Sequence, residues 1–154
     1  MKTLFLVLSL AAVTTVCAQT DRNAAIHALV DSKSYDFHAT TATAMDGMVK
    51  SLTSEYLLTM TPDSIVCNLP YFGQATAATM DGDGIVFTSK DFTYDSRPTK
   101  KGGWEITIRP KDAKKAVSQL YLSIQSSGLT TLRIMSPSKD PISYDGEITS
   151  PGAQ

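Results

Sequence analysis

Cysteine and histidine are scarce: the 154-residue chain has two of each. A transition-metal site built from those ligands has few donors to draw on. Charge is sparse as well, with 19% charged residues and a formal net charge of -1. That excludes a highly charged disordered chain. It also leaves no field strong enough to gather nucleic acid or an anionic membrane. Beyond the first residues no apolar run is long enough to span a bilayer. A Gly-rich phosphate loop, a serine elbow and a dinucleotide fingerprint are all missing. What is present suits one packed domain: 42% hydrophobic residues over 154 positions.

The first residues read as an export leader. Lys2 supplies a short positive start, Leu4 to Val13 is apolar apart from Ser9, and Val16-Cys17-Ala18 follows. This order predicts a signal peptide over 1–18, cleaved after Ala18, and an exported protein of the periplasm or the extracellular space. The alternative is a lipid anchor through Cys17, although Val16 is larger than the small residue such a site favours. With Cys17 removed, Cys67 stands alone and is expected to be buried. Residues 19–149 then form a single β-rich domain, and 150–154 a flexible tail.

A short helix is expected at the start of that domain. Asp21 can cap it, and Ala25, Ile26, Leu29 and Val30 recur at helical spacing before Ser32-Lys33-Ser34 ends it. His27 lies beside that stripe and is expected to face solvent. Almost everything afterwards alternates with a period of two, which puts one face of a strand inward and the other outward. Tyr35, Phe37 and Ala39 do so, as do Ile65, Cys67 and Leu69. Trp104, Ile106 and Ile108 alternate cleanly with Glu105, Thr107 and Arg109. Leu120, Leu122 and Ile124, then Leu132 and Ile134, then Ile142, Tyr144 and Ile148 repeat the pattern.

Turn chemistry separates these runs. Thr61-Pro62-Asp63, Asp81-Gly82-Asp83-Gly84, Lys101-Gly102-Gly103, Ser126-Ser127-Gly128 and Pro137 to Pro141 are the links. Links this short favour antiparallel neighbours, because a parallel crossover needs about a dozen residues. The expected fold is mainly β. It is an antiparallel meander of about eight or nine short strands curled into a barrel or half-barrel, with one N-terminal helix. A two-layer β-sandwich is the alternative. The helix could cover an open edge or a barrel mouth.

Leu69-Pro70-Tyr71-Phe72-Gly73 carries the most specific signal. Pro70 lacks an amide donor and suits a strand end, and Gly73 permits a bend or a close approach. Tyr71 and Phe72 would point opposite ways in a regular strand, so one could anchor the core while the other forms an aromatic lip. The run resembles the signature of a secreted Bacteroidetes family catalogued as domain of unknown function 4251. The flanking order is similar too: Tyr35-Asp36-Phe37-His38-Ala39, Glu55-Tyr56-Leu57-Leu58, Gly103-Trp104-Glu105-Ile106 and Pro141-Ile142-Ser143-Tyr144-Asp145-Gly146. The resemblance covers roughly residues 25 to 149. It implies an exported, mainly β domain of a Gram-negative envelope, and no catalytic residue.

No constellation argues for catalysis. Asp81 and Asp83 open like a calcium loop, but position 90 is Lys90 where that loop needs a glutamate. His27 and His38 lack further ligands at metal spacing, so no metal and no cofactor is expected. Cys67 with His38 could pair as nucleophile and base, yet Cys67 falls on the apolar side of its strand. Glu55, Glu105 and Glu147 lie on outward faces. Lys100-Lys101 and Lys114-Lys115 lack the aromatics of a nucleic-acid footprint. The expectation is a non-enzymatic envelope protein that binds an apolar or amphipathic small ligand near Tyr71, Phe72 and Trp104. A structural or protein-interaction module is the alternative, and a hydrolase ranks behind both.

Overall fold

Alternating side chains make a strand, but only pairing decides what the strands enclose. The computed structural model of the chain describes residues 13–53, 55–73 and 84–153. Helix α1 (Val13–Ser32) is followed by strands β1 (Tyr35–Thr43), β2 (Val49–Ser51), β3 (Leu57–Met60), β4 (Ile65–Pro70) and β5 (Gly84–Ser89). Then come β6 (Phe92–Pro98), β7 (Trp104–Pro110), β8 (Gln119–Ile124), β9 (Leu129–Met135) and β10 (Ile142–Thr149). All pairings are antiparallel.

The strands form one sheet in the order β5-β4-β3-β1-β10-β9-β8-β7-β6, with β2 added beside β1. One continuous sheet sets the two-layer sandwich aside. Its end strands, β5 and β6, follow each other in the chain across Lys90-Asp91 but do not pair with each other. The sheet is therefore a near-closed barrel with a seam between β5 and β6. The ten strands among the described residues compare with the expected eight or nine. The additions are β2, exposed throughout, and β6, which alternates only over Phe92, Thr93, Tyr94 and Asp95 before Ser96-Arg97-Pro98 breaks the pattern.

The inward residues fill the barrel. Tyr35, Phe37, Leu58, Met60, Ile65, Cys67, Ile108, Leu120, Leu132 and Tyr144 are each 0% exposed. Burying one such apolar side chain is worth about 1.5–3 kcal/mol, so this lining is the main source of stability. In β1 the inward phase slips, from Phe37 and Ala39 to Ala42, because a bulge lies between Ala39 and Thr41.

Helix α1 is longer than expected. It begins at Val13, so Asp21 lies within it and is not its cap. Neither glycine nor proline occurs between Val13 and Ser32, so nothing in that stretch stops a helix. It ends where expected. The Ser34 amide donates to the Leu29 carbonyl and the Lys33 amide to the Val30 carbonyl, with Lys33 at φ 52°. That is a Schellman closure with lysine in the place glycine usually takes. Ile26 and Val30 are buried, and Ile26 lies over Gly128 in the β8–β9 turn. The Arg22–Glu147 ion pair (3.2 Å) ties the helix to β10. No described helix is long and apolar enough to cross a membrane.

Past β10, Ser150 to Ala153 form a turn, and the Gly152 amide donates to the Asp36 carboxylate (2.9 Å). This tail covers Asp36, which is otherwise an outward residue of β1. Residues 1–12 of the expected leader lie outside the described residues, as do Asp81, Gly82 and Asp83.

Candidate functional site

The Leu69–Gly73 run sits where β4 leaves the sheet. Pro70 is the last residue of β4, and its carbonyl accepts the Tyr144 hydroxyl (2.7 Å) from β10. Tyr71 turns inward and is 8% exposed. Its hydroxyl donates to the Asp140 carbonyl (3.3 Å), and the Lys139 ammonium lies 4.9 Å from its ring centre. Lys139 also donates to the Gly84 carbonyl (2.7 Å), fastening the start of β5. A Cβ on Gly73 would fall 2.3 Å from the Tyr71 hydroxyl oxygen, so glycine leaves the space that ring occupies. Phe72 stays partly exposed beneath the Lys50 ammonium (4.2 Å) and borders a hollow of about 360 Å³ with Ala44, Met45, Asp46, Gly73 and Asp140.

Trp104 is elsewhere. It is 5% exposed and lies against His27 of α1, ring centres 4.3 Å apart and edge to face. It belongs to the barrel end that α1 covers, while Tyr71 and Phe72 belong to the end where β1 runs out into Ala44. Of the three residues expected to share one aromatic surface, Phe72 alone offers a partly open face. Tyr71 and Trp104 are core anchors, because each ring has a neighbouring element folded over it.

The seam of the barrel is held by a residue the sequence did not single out. The Asp112 carboxylate, in the β7–β8 link, accepts the Ser89 hydroxyl and the amides of Lys90 (2.8 Å) and Asp91 (3.2 Å). Lys111 pairs with Asp91 (3.0 Å) beside it. Inside the seam the hydroxyls of Tyr35 and Tyr94 meet at 3.5 Å, and burial raises both phenols above their ordinary range. The Ser89 hydroxyl and the two turn amides pull the Asp112 carboxyl down to about 2 from 3.8. A folded-state value below the unfolded one adds stability above the unfolded value, lost as pH falls through the folded one. Asp112→Asn is therefore expected to be less stable than the parent at neutral pH. The gap between the two should close as pH falls from 3.8 to about 2. Urea melts of both proteins at a series of pH values check this, and a constant gap would contradict it.

A surface hollow lies on the outer face of β6–β9, with a volume of about 470 Å³. Its floor is a grid set by strand register. Asp95, Thr107, Tyr121 and Arg133 lie side by side across four strands. Arg97, Glu105, Ser123 and Thr131 form the next row. Arg109 stands two positions beyond Thr107 on β7 and also lines the hollow. Arg97 pairs with Asp95 (3.3 Å), and Thr131 donates to Asp145 (2.7 Å). Arg109, Arg133 and Glu105 have no ion pair or side-chain hydrogen bond among the described residues. Tyr121 is 42% exposed between them.

The residues considered for chemistry are dispersed. Cys67 is fully buried, and burial pushes its thiol far above the ordinary range, which favours the neutral form. His38 lies on the outward side of β1, and its Nε2 is buried without a hydrogen-bond partner in the structure. Glu55 lies in the β2–β3 link, Glu105 on β7 and Glu147 on β10. Among the described residues, no three or more His, Cys, Asp or Glu converge as metal ligands would. The outer-face residues Arg109, Thr107, Arg133 and Thr131 all occur in the alternation of their strands. Only the strand order brings them together.

A family model described as "Domain of unknown function (DUF4251)" matches residues 18–148. The chain belongs to the DUF4251 family. A solved structure of a DUF4251 family protein from Bacteroides eggerthii DSM 20697 is similar, with a TM-score of 0.65 and 11% identity. The likeness covers 87% of this chain and 91% of that one, and at this identity it speaks for the fold. No curated protein matches the chain. The Leu-Pro-Tyr-Phe-Gly signature of this DUF4251 chain is, in physical terms, a joint. Pro70 receives β10, Tyr71 plugs the barrel end, and Gly73 makes room for that plug.

Proposed function

We propose that this DUF4251 protein is exported to the cell envelope and acts there by binding, with its partner held on the outside of the barrel. One observation carries this reading. The interior is occupied by its own side chains, whereas the outer face of β6–β9 opens a broad hollow with two unpaired guanidinium groups. An apolar ligand inside would have to displace Tyr35, Phe37, Leu58 or Met60, each 0% exposed. Close-packed interiors resist even one added methylene group. The site accordingly moves from the interior to the surface.

The reading is non-catalytic: the Cys67 thiol lies on the inward side of β4, while His38 lies on the outward side of β1. The buried Cys67 and the separated histidines and glutamates support it. Lys2 and the apolar run Leu4 to Val13 support export. The test is native mass spectrometry of the protein purified from the envelope of its own cell, with the denatured mass alongside. A bound molecule or partner that leaves on denaturation, on a chain starting at Gln19 or at a lipid-bearing Cys17, is the expected result. A bare, uncleaved chain recovered from the cytoplasm would overturn the proposal.

A further inference from the structure

The geometry points to the hollow on β6–β9 as a binding site for an acidic sugar chain, one in which carboxylates alternate with hydroxyl-rich rings. This inference rests on the surface-binding reading and names the ligand class. Neighbouring strands lie roughly 4.8 Å apart, so a site crossing four strands is roughly 14 Å long. It is long, shallow and open, a shape suited to an extended chain more than to an enclosed small molecule.

Its chemistry is graded from end to end. Arg109 and Arg133 flank Tyr121, and each has its planar fork of donors uncommitted. A guanidinium matches a carboxylate with two parallel hydrogen bonds, and holding it unpaired on a surface leaves that capacity for a ligand. Tyr121 exposes 42% of its surface among outward side chains that carry hydroxyls or charges. Its flat face can take the apolar side of a sugar ring, and its hydroxyl adds a polar tip. Thr107, Ser123 and Thr131 bring further hydroxyls. Thr131 already donates to Asp145 and so offers its oxygen as an acceptor.

The acidic residues decide between anions. Glu105 lies in the row beside Tyr121, unpaired, and Asp95 stands at the far end of Tyr121's own row. A chain with a phosphate at every unit would bring charge against both of them. An acidic sugar avoids this: its carboxylates go to Arg109 and Arg133, and its ring hydroxyls donate to Glu105. The small net charge of the chain fits the same choice, since polyphosphate binding relies on a broad positive field.

The experiment is calorimetric titration of the intact protein with an unsulfated chondroitin tetrasaccharide and with a hyaluronan tetrasaccharide. The fully methyl-esterified hyaluronan tetrasaccharide and inorganic phosphate serve as controls. The expected result is binding of at least one acid sugar that weakens as salt is raised. Binding should weaken by at least about tenfold on esterification and in the double variant Arg109→Gln, Arg133→Gln. Tyr121→Ala should weaken it as well. All three replaced side chains are exposed, so unchanged melting profiles are expected and separate a lost ligand from a lost fold. Failure of both acid sugars to bind would overturn the inference. So would undiminished binding by the arginine variant, or phosphate competing as well as the sugars. If the envelope-purified protein still carries a different molecule, the inference fails while the binding reading stands. If it carries nothing and neither acid sugar binds, both fail.

Discussion

Gly146→Ala is expected to abolish the native barrel or cost about 3 kcal/mol or more of stability. Gly146 lies in β10 opposite Ala39 of β1, next to the bulge between Ala39 and Thr41. A Cβ built there would stand 1.9 Å from the His38 carbonyl oxygen and 2.9 Å from its carbon. Both are backbone atoms, so no side-chain rotation relieves the clash. β1 would have to move away from β10, and that pairing joins the two halves of the sheet. The usual benefit of replacing glycine in a strand, a smaller entropy loss on folding, is well under this cost. Denaturant melts and the near-ultraviolet circular dichroism of the variant test it. A variant as stable as the parent would show that the two strands do not approach as described. Gly152→Ala is the contrasting replacement, since nothing lies within 4 Å of its added Cβ and only its positive φ of 75° opposes it.

Tyr144 carries the second large effect, and two replacements divide it. Its side chain is 0% exposed, and its hydroxyl donates to the Pro70 carbonyl across the top of the barrel. Burial keeps the phenol neutral, its dissociation pushed far above the ordinary range, so it donates at every working pH. Tyr144→Phe keeps the ring and strands the carbonyl, with an expected cost of about 1–3 kcal/mol. Tyr144→Ala also empties the ring's volume, and the cost should rise to about 3–5 kcal/mol. Equilibrium urea unfolding of the three proteins reads both numbers. If the phenylalanine variant matches the parent, the Tyr144–Pro70 bond contributes nothing.

Much of this architecture was legible because strand alternation is local. Trp104, Ile106 and Ile108 point inward while Glu105, Thr107 and Arg109 point outward, as their order along the chain requires. The turns were legible for the same reason: Gly102 and Gly128 adopt positive φ at 79° and 90°, where the glycines of those links were expected to bend the chain. β6 was less legible. It is an edge strand with charged and proline residues, features that guard an edge against mispairing and also blur its pattern. The bulge in β1 was invisible because it inserts one residue without changing the kinds of residue that follow.

The sequence by itself determined which side chains most of the strands turn inward, where the links bend, that Cys67 is buried, and to which family the chain belongs. Those properties depend on neighbours a few residues apart. Only the tertiary structure decided that β1 pairs with β10, that β5 and β6 leave a seam held by Asp112, and that Tyr71 and Trp104 lie at different ends. It also placed Arg109 and Arg133, on strands that do not pair with each other, around Tyr121 on the strand between them. Alternation assigns a face to each residue but does not encode which strand lies beside which. That choice comes from closing one apolar surface on itself, a requirement of the whole chain and of no segment within it.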